Sequence, residues 1–153
     1  MRKTYIIAEL GNTHDGSFGL AKQMIEAASD CGVDAVKIQT HIFTSESLAD
    51  APNPPYFSDE TRQEYFQRTS FSFEQLVALK EWAEKKCSVD FLSSPFSVDA
   101  VSILDKLDIP VMKVPSGEVT NFPLLKSVAE TGRKVLLSSG MSSWDELDAA
   151  VEI

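Results

Sequence analysis

The sequence predicts an α/β fold, the N-terminal half of a (β/α)8 TIM barrel with about five parallel strands, and three observations carry that expectation. Short apolar, β-branched runs alternate along the chain with longer amphipathic segments. The runs are continuous rather than alternating, as parallel strands covered on both faces require. The last three also begin only about 20–25 residues apart, the cadence of a barrel whose complete form takes about 250 residues. The 153 residues would therefore supply four βα units, a fifth strand and the start of its helix. Residues 1–153 are expected to be one truncated N-terminal part of a barrel domain, interrupted by an insertion at about 41–71 and lacking the C-terminal half-barrel.

The expected strands are Thr4–Leu10, Ala35–Thr40, Asp90–Ser94, Val111–Pro115 and Lys134–Ser139. The helices between them carry legible punctuation. The first repeats Leu20, Met24, Ala27, Ala28 and Cys31 at helical spacing and stops at Gly32. The second opens on Ser72 with Gln75 three residues on, a capping-box pair, and continues through Leu76, Leu79, Ala83 and Cys87. A third carries Val98, Val101, Leu104 and Leu107, with Pro110 beyond it. The fourth starts near Asn121, has Pro123 in its first turn and ends at Gly132. The fifth begins at Ser143, with Glu146 completing another capping box.

The insertion holds Pro52, Pro54 and Pro55, then a polar stretch around 58–68 that reads as helical. A loop of this length is usually a lid or a binding element. Tyr56, Phe57, Tyr65 and Phe66 argue against a disordered excursion, which tends to lack aromatics.

Composition narrows the function. The net charge of −9 argues against a nucleic-acid partner, which needs a basic face. No apolar run is long enough to span a membrane, and Glu9 interrupts the apolar start too early for a signal peptide, so the expected location is cytoplasmic. Cys31 and Cys87 match no metal or redox spacing and are expected to be buried free thiols.

Barrel active sites gather at the C-terminal strand ends. Those ends offer Glu9 and Asn12; Lys37, Gln39 and Thr40; Ser93 and Ser94; Lys113, Ser116 and Glu118; Ser138 and Ser139. A lysine embedded in a parallel strand must meet an anion or suffer desolvation. Each of Lys37 and Lys113 taken alone suits a structural ion pair, whereas two on different strands suggest a shared anionic ligand. Hydroxyls at Ser94, Ser116 and Ser139, with backbone N–H groups near Gly117 and Gly140, would complete a cradle. Glu9 suits a proton-transfer group, a partner for a sugar hydroxyl, or an internal partner for one lysine. The turn after the first strand places Asn12, Thr13, His14 and Asp15 over the mouth; His41 is the weaker of the two histidines as a candidate.

The segments IAELGNTHDGS, DAVKIQT, FLSSPFS, KVPSGEVTNFPLL and LLSSGM together resemble the N-acetylneuraminate (sialic acid) synthase family, which includes legionaminic and pseudaminic acid synthases and spore-coat polysaccharide relatives. The likeness implies condensation of phosphoenolpyruvate with an N-acyl-mannosamine-like aldose and water, giving a nonulosonic acid and phosphate. It implies that Lys37, Gln39, Ser94, Lys113, Ser116 and Ser139 bind phosphoenolpyruvate and that Glu9 is the active-site carboxylate. Asn12 and His14 are the sugar-side candidates. It further implies Mn2+ or Mg2+ held by later-strand histidines outside this chain, a C-terminal antifreeze-like domain that this chain lacks, and a homodimer when full length. Two rival readings stand beside it: a Schiff-base aldolase using Lys37 or Lys113, and a non-catalytic half-barrel that self-associates through its open edges.

Overall fold

A computed structural model describes residues 4–55, 57 and 59–153. Tyr56, one of the aromatics weighed above, and Ser58, where the helical stretch was expected to begin, lie outside the described residues. Five strands, β1 (Ile7–Gly11), β2 (Ala35–Thr40), β3 (Asp90–Pro95), β4 (Val111–Val114) and β5 (Lys134–Leu137), form one parallel sheet in the order β1-β2-β3-β4-β5. The helices that join them are α1 (Phe18–Asp30), α4 (Phe73–Glu81, continued by a π-helical turn at Trp82–Lys86), α5 (Val98–Lys106) and α6 (Phe122–Glu130). After β5 comes α7 (Trp144–Val151), and the insertion adds α2 (Phe43–Glu46) and α3 (Arg62–Thr69). Sequential neighbours throughout, all parallel, are the layout of half a barrel.

Period-two alternation divides each strand between two surroundings. Val36, Ile38, Phe91, Met112 and Val114 turn to the helical layer and join Ile25, Leu79, Leu104 and Leu124 in the core. Each such side chain, fully buried, contributes about 1.5–3 kcal/mol. Ile7, Leu92, Val111 and Leu136 line the other face, around an open apolar cavity of about 670 Å³.

The expected helix starts are present as caps: Ser72 and Ser143 each close a capping box, and Asn121 accepts from the Leu124 N–H with Pro123 in the first turn. Gly32 and Gly132 follow α1 and α6 with positive φ, as helix stops do. The first strand begins later than expected. Tyr5 bonds to the Asp90 carboxylate and the Ile6 N–H to the Asp34 carboxylate, while the Ile6 carbonyl accepts from the Asp34 and Ala35 N–H groups, so side chains and backbone together hold the entry to β1. Both cysteines are free, but the expectation of burial fails: Cys31 caps the solvent end of α1 and is exposed, and Cys87 is half-buried. Among the described residues no helix is long and apolar enough to cross a membrane.

The insertion is ordered by its own signals. Thr61 and Glu64 form a capping box that starts α3. At the other end Arg68 bridges Glu60 and Asp15, at 2.6 and 2.5 Å, tying α3 to the turn after β1. The two carboxylates hold the guanidinium pKa well above its ordinary value. Ser70 donates to the His41 carbonyl, closing the insertion onto the end of β2.

Candidate active site

Glu9 and Lys37 are register partners on β1 and β2, so their side chains emerge on the same face. The Lys37 ammonium sits 2.5 Å from Glu9 Oε2 and donates to Ser94 Oγ at 3.0 Å. Its side chain is 9% exposed, whereas that of Glu9 is 48% exposed. The lysine is thus the buried member, and the carboxylate faces the open side. Ser93, beside Ser94, turns to the opposite face and bonds Thr40. The β1 ladder slips between Glu9 and Gly11. Gly11 has φ +54°, and a Cβ there would lie 3.4 Å from Glu9 Oε1 and 3.8 Å from Gln39 Nε2. A glycine therefore suits both the backbone and the approach of these two polar groups.

Lys113 completes the basic pair. Ser93 pairs with Met112, one position before Ser94 and Lys113, so β4 brings the second ammonium alongside the first. Glu9, Lys37, Lys113 and Ser138 line one cavity of about 250 Å³ with Ile7, Leu136 and Leu137. Lys113 has no hydrogen-bonded partner among the described residues. Burial lowers its pKa, the Lys37 charge lowers it further, and Glu9 opposes the change. A half-buried ammonium next to another, with one carboxylate beside them, leaves a local excess of positive charge on this cavity wall.

The six residues expected to bind phosphoenolpyruvate do not all converge. Lys37, Lys113 and Ser94 do. Ser139 is exposed, and its place on the cavity wall is taken by Ser138, because Lys113 pairs with Leu136 and Ser138 lies two positions further on the same face. Ser116 begins the short 3-10 turn Ser116–Glu118 beyond β4, half-buried and off the cavity wall. Gln39 lines a second cavity of about 420 Å³ with Asn12, Thr13, Phe57, Arg62, Tyr65 and Phe66. This second cavity is walled on one side by the insertion.

His14, expected on the sugar side, is buried instead. It packs on Phe71 at 4.5 Å between centroids, accepts from the Gly16 N–H through Nδ1, and lines neither cavity. Burial lowers its pKa. His41 lines neither cavity but contacts Gln39, which lines the second. Its Nδ1 meets both Glu46 oxygens at 2.9 and 3.0 Å and its Nε2 meets Gln39 Oε1 at 2.9 Å. The ring lies between Phe66 and Phe96, at 3.9 and 4.0 Å. Sequence reasoning ranked His41 below His14 and passed over Glu46 and Arg62; the only local hint was a carboxylate five residues after the histidine. Among the described residues no group of three or more His, Cys, Asp or Glu comes together to hold a metal ion.

Comparison with known proteins gives a consistent result. The sequence model of the NeuB family matches residues 24–153. The chain is 38% identical over 160 residues to N,N'-diacetyllegionaminic acid synthase of Campylobacter jejuni, covering all of this chain and 47% of that enzyme. It is 35% identical to human N-acetylneuraminate-9-phosphate synthase, covering 97% of this chain and 42% of the other. Among solved structures, the N-acetylneuraminic acid synthetase of Leptospira borgpetersenii, in complex with citrate, superposes with a TM-score of 0.81 at 29% identity. That match covers 99% of this chain and 50% of the synthetase. The chain thus spans about half the length of the relatives it matches.

Proposed function

Since this chain belongs to the NeuB family, we propose that the full-length protein condenses phosphoenolpyruvate with the aldehyde of an N-acyl-mannosamine-like sugar, adding water and releasing phosphate to give a nonulosonic acid. The observation that carries this reading is the pair of lysines over one cavity, one of them without a hydrogen-bonded partner among the described residues. In the reaction C3 of phosphoenolpyruvate bonds to the aldehyde carbon, water adds at C2, and the C2–O bond breaks as phosphate leaves. Lys37 and Lys113 would hold the anionic substrate and offset the charge that builds on the departing phosphate. The Ser138 hydroxyl supplies a further donor beside them. Glu9, paired with Lys37 yet open to solvent, is placed to orient water or a sugar hydroxyl, or to take a proton from it.

The second cavity is the complementary half of the reading. Asn12, Gln39, Arg62 and Tyr65 offer polar groups beside the Phe57 and Phe66 rings, the mixture that suits hydroxyls and an acyl methyl on one ligand. The two cavities adjoin at Gly11, where Glu9 and Gln39 come near each other. Mn2+ or Mg2+ is the expected Lewis acid of the family, but the residues described here offer it no site, and no step above runs through it.

One observation favours a second reading. A lysine whose pKa is lowered by burial and a neighbouring cation is also what Schiff-base chemistry needs. A single assay separates the two: phosphate release from phosphoenolpyruvate by the full-length protein with Mn2+, with and without N-acetylmannosamine and related sugars, followed by borohydride. Sugar-dependent phosphate release with no trapped adduct is the expected result. A borohydride-stable adduct on Lys37 or Lys113, without phosphate release, would replace the synthase by the aldolase.

The Lys113 environment also sets a pH dependence. Only the ammonium attracts the anion, so phosphoenolpyruvate affinity should fall as pH rises through the lowered Lys113 pKa. Lys113→Arg, which stays charged, should lose that alkaline limb while binding somewhat more weakly. Titration calorimetry across the alkaline range checks this, and an affinity that does not change there in the wild type would remove Lys113 from the anion's contacts.

A further inference from the structure

We propose that His41, held by Glu46 and two phenylalanine rings, is a positioning residue that fixes which end of the Gln39 carboxamide faces the sugar. The inference rests on the reading of the second cavity given above. Gln39 Oε1 is approached by two groups, Asn12 Nδ2 at 3.4 Å and His41 Nε2 at 2.9 Å. A carbonyl oxygen only accepts, so Nε2 carries a proton and donates to it. At the other side of the ring Nδ1 lies 2.9 and 3.0 Å from the two Glu46 carboxylate oxygens. With its carbonyl end occupied, Gln39 keeps two N–H donors for other partners, on a side chain that lines the cavity shared with Arg62 and Tyr65. Its ligand must then offer an acceptor oxygen at that point.

The ring has little freedom to do otherwise. Phe66 and Phe96 stack on its two faces with interplanar angles of 23° each. The His41 and Glu46 side chains are 5% and 4% exposed. Glu46 comes from α2 and Phe66 from α3, both in the insertion, whereas Phe96 follows β3. The insertion therefore clamps the His41 ring at its own start, and through it the Gln39 side chain of β2, in addition to walling the cavity. Such supporting groups tune a binding residue without touching the ligand themselves.

Two variants of the full-length protein and one spectrum test this. His41→Phe keeps the stack but cannot donate to Gln39, and the sugar KM should rise roughly tenfold, the loss of about one orienting hydrogen bond. The phosphoenolpyruvate KM should stay within about twofold in the same variant. His41→Gln restores an N–H at the Nε2 position and should recover most of the loss. Equal damage from both variants in folded protein, or no change of the sugar KM in His41→Phe, would overturn the role. The independent arm is a long-range 15N spectrum of histidine-labelled protein without ligand. A proton on Nε2 that is lost from its hydrogen bond in Gln39→Ala is expected; an unprotonated Nε2 in the wild type would turn the amide round and overturn the assignment. If the wild type releases no phosphate with any sugar, the synthase reading fails, while the spectrum still decides the orientation of Gln39.

Discussion

Replacing Lys37 by Met is expected to weaken phosphoenolpyruvate binding by roughly a hundredfold or more and to lower sugar-dependent phosphate release at least as much. Truncating one member of a buried, hydrogen-bonded charge pair typically costs about 2–5 kcal/mol in binding, and tenfold corresponds to about 1.4 kcal/mol. Lys37 is the buried member of the pair with Glu9 and donates to Ser94, so its ammonium is oriented before any ligand arrives. Folding should suffer far less than binding, because Glu9 is half-exposed and remains solvated when its partner is lost. Lys37→Arg should rescue only part of the affinity, since a planar guanidinium does not fit the place between Glu9 and Ser94 that a compact ammonium fills. Calorimetry with phosphoenolpyruvate, with circular dichroism to confirm folding, checks both variants. A folded Lys37→Met protein that binds within about threefold of the wild type would remove the lysine pair from the anion site.

Gly16→Ala is expected to lower stability by roughly 2–4 kcal/mol, combining the left-handed backbone cost with overpacking. Gly16 has φ +78°, and a Cβ there would run into the Arg68 carbonyl at the end of α3. Backbone cannot move aside as a flexible side chain does, so the turn after β1 and the insertion must separate. That separation would pull Arg68 from Asp15 and carry Phe66 away from His41. The expected signature is therefore a lower midpoint in urea together with a raised sugar KM in the fraction that remains folded. Gly32→Ala is the comparison: its φ is +80° but nothing lies within 4 Å of the added Cβ, so only the backbone cost of about 1–2 kcal/mol applies. Equal losses in the two variants would mean that the contact of Gly16 with α3 contributes nothing.

Much of this site is visible along the chain, and the remainder is absent for identifiable reasons. Lys37 and Lys113 stand out locally, because a charged residue within an apolar strand is costly and demands an explanation. Ser138 and Ser139 carry the same chemistry in adjacent positions, and only the pairing of Lys113 with Leu136 decides which of them faces the cavity. Gln39 shares the Lys37 face by alternation, yet two residues of strand rise are enough to move it to the next cavity. The two histidines exchange importance for a similar reason. His14 lies in a motif-rich turn and is buried against Phe71, while His41 acquires its role from Phe66 and Phe96, which the sequence places far from it.

The sequence by itself determined the class of fold, the order of strands and helices, the caps that start and stop the helices, and the family to which the chain belongs. These are local properties: apolar period, capping residues and turn glycines act over a few positions and need no knowledge of the rest of the chain. The tertiary structure alone decided which polar residues meet, where the insertion packs and how His41 is held. Those outcomes depend on parallel register and on contacts between segments far apart in the chain, where a shift of one residue sends a side chain to the opposite face of the sheet.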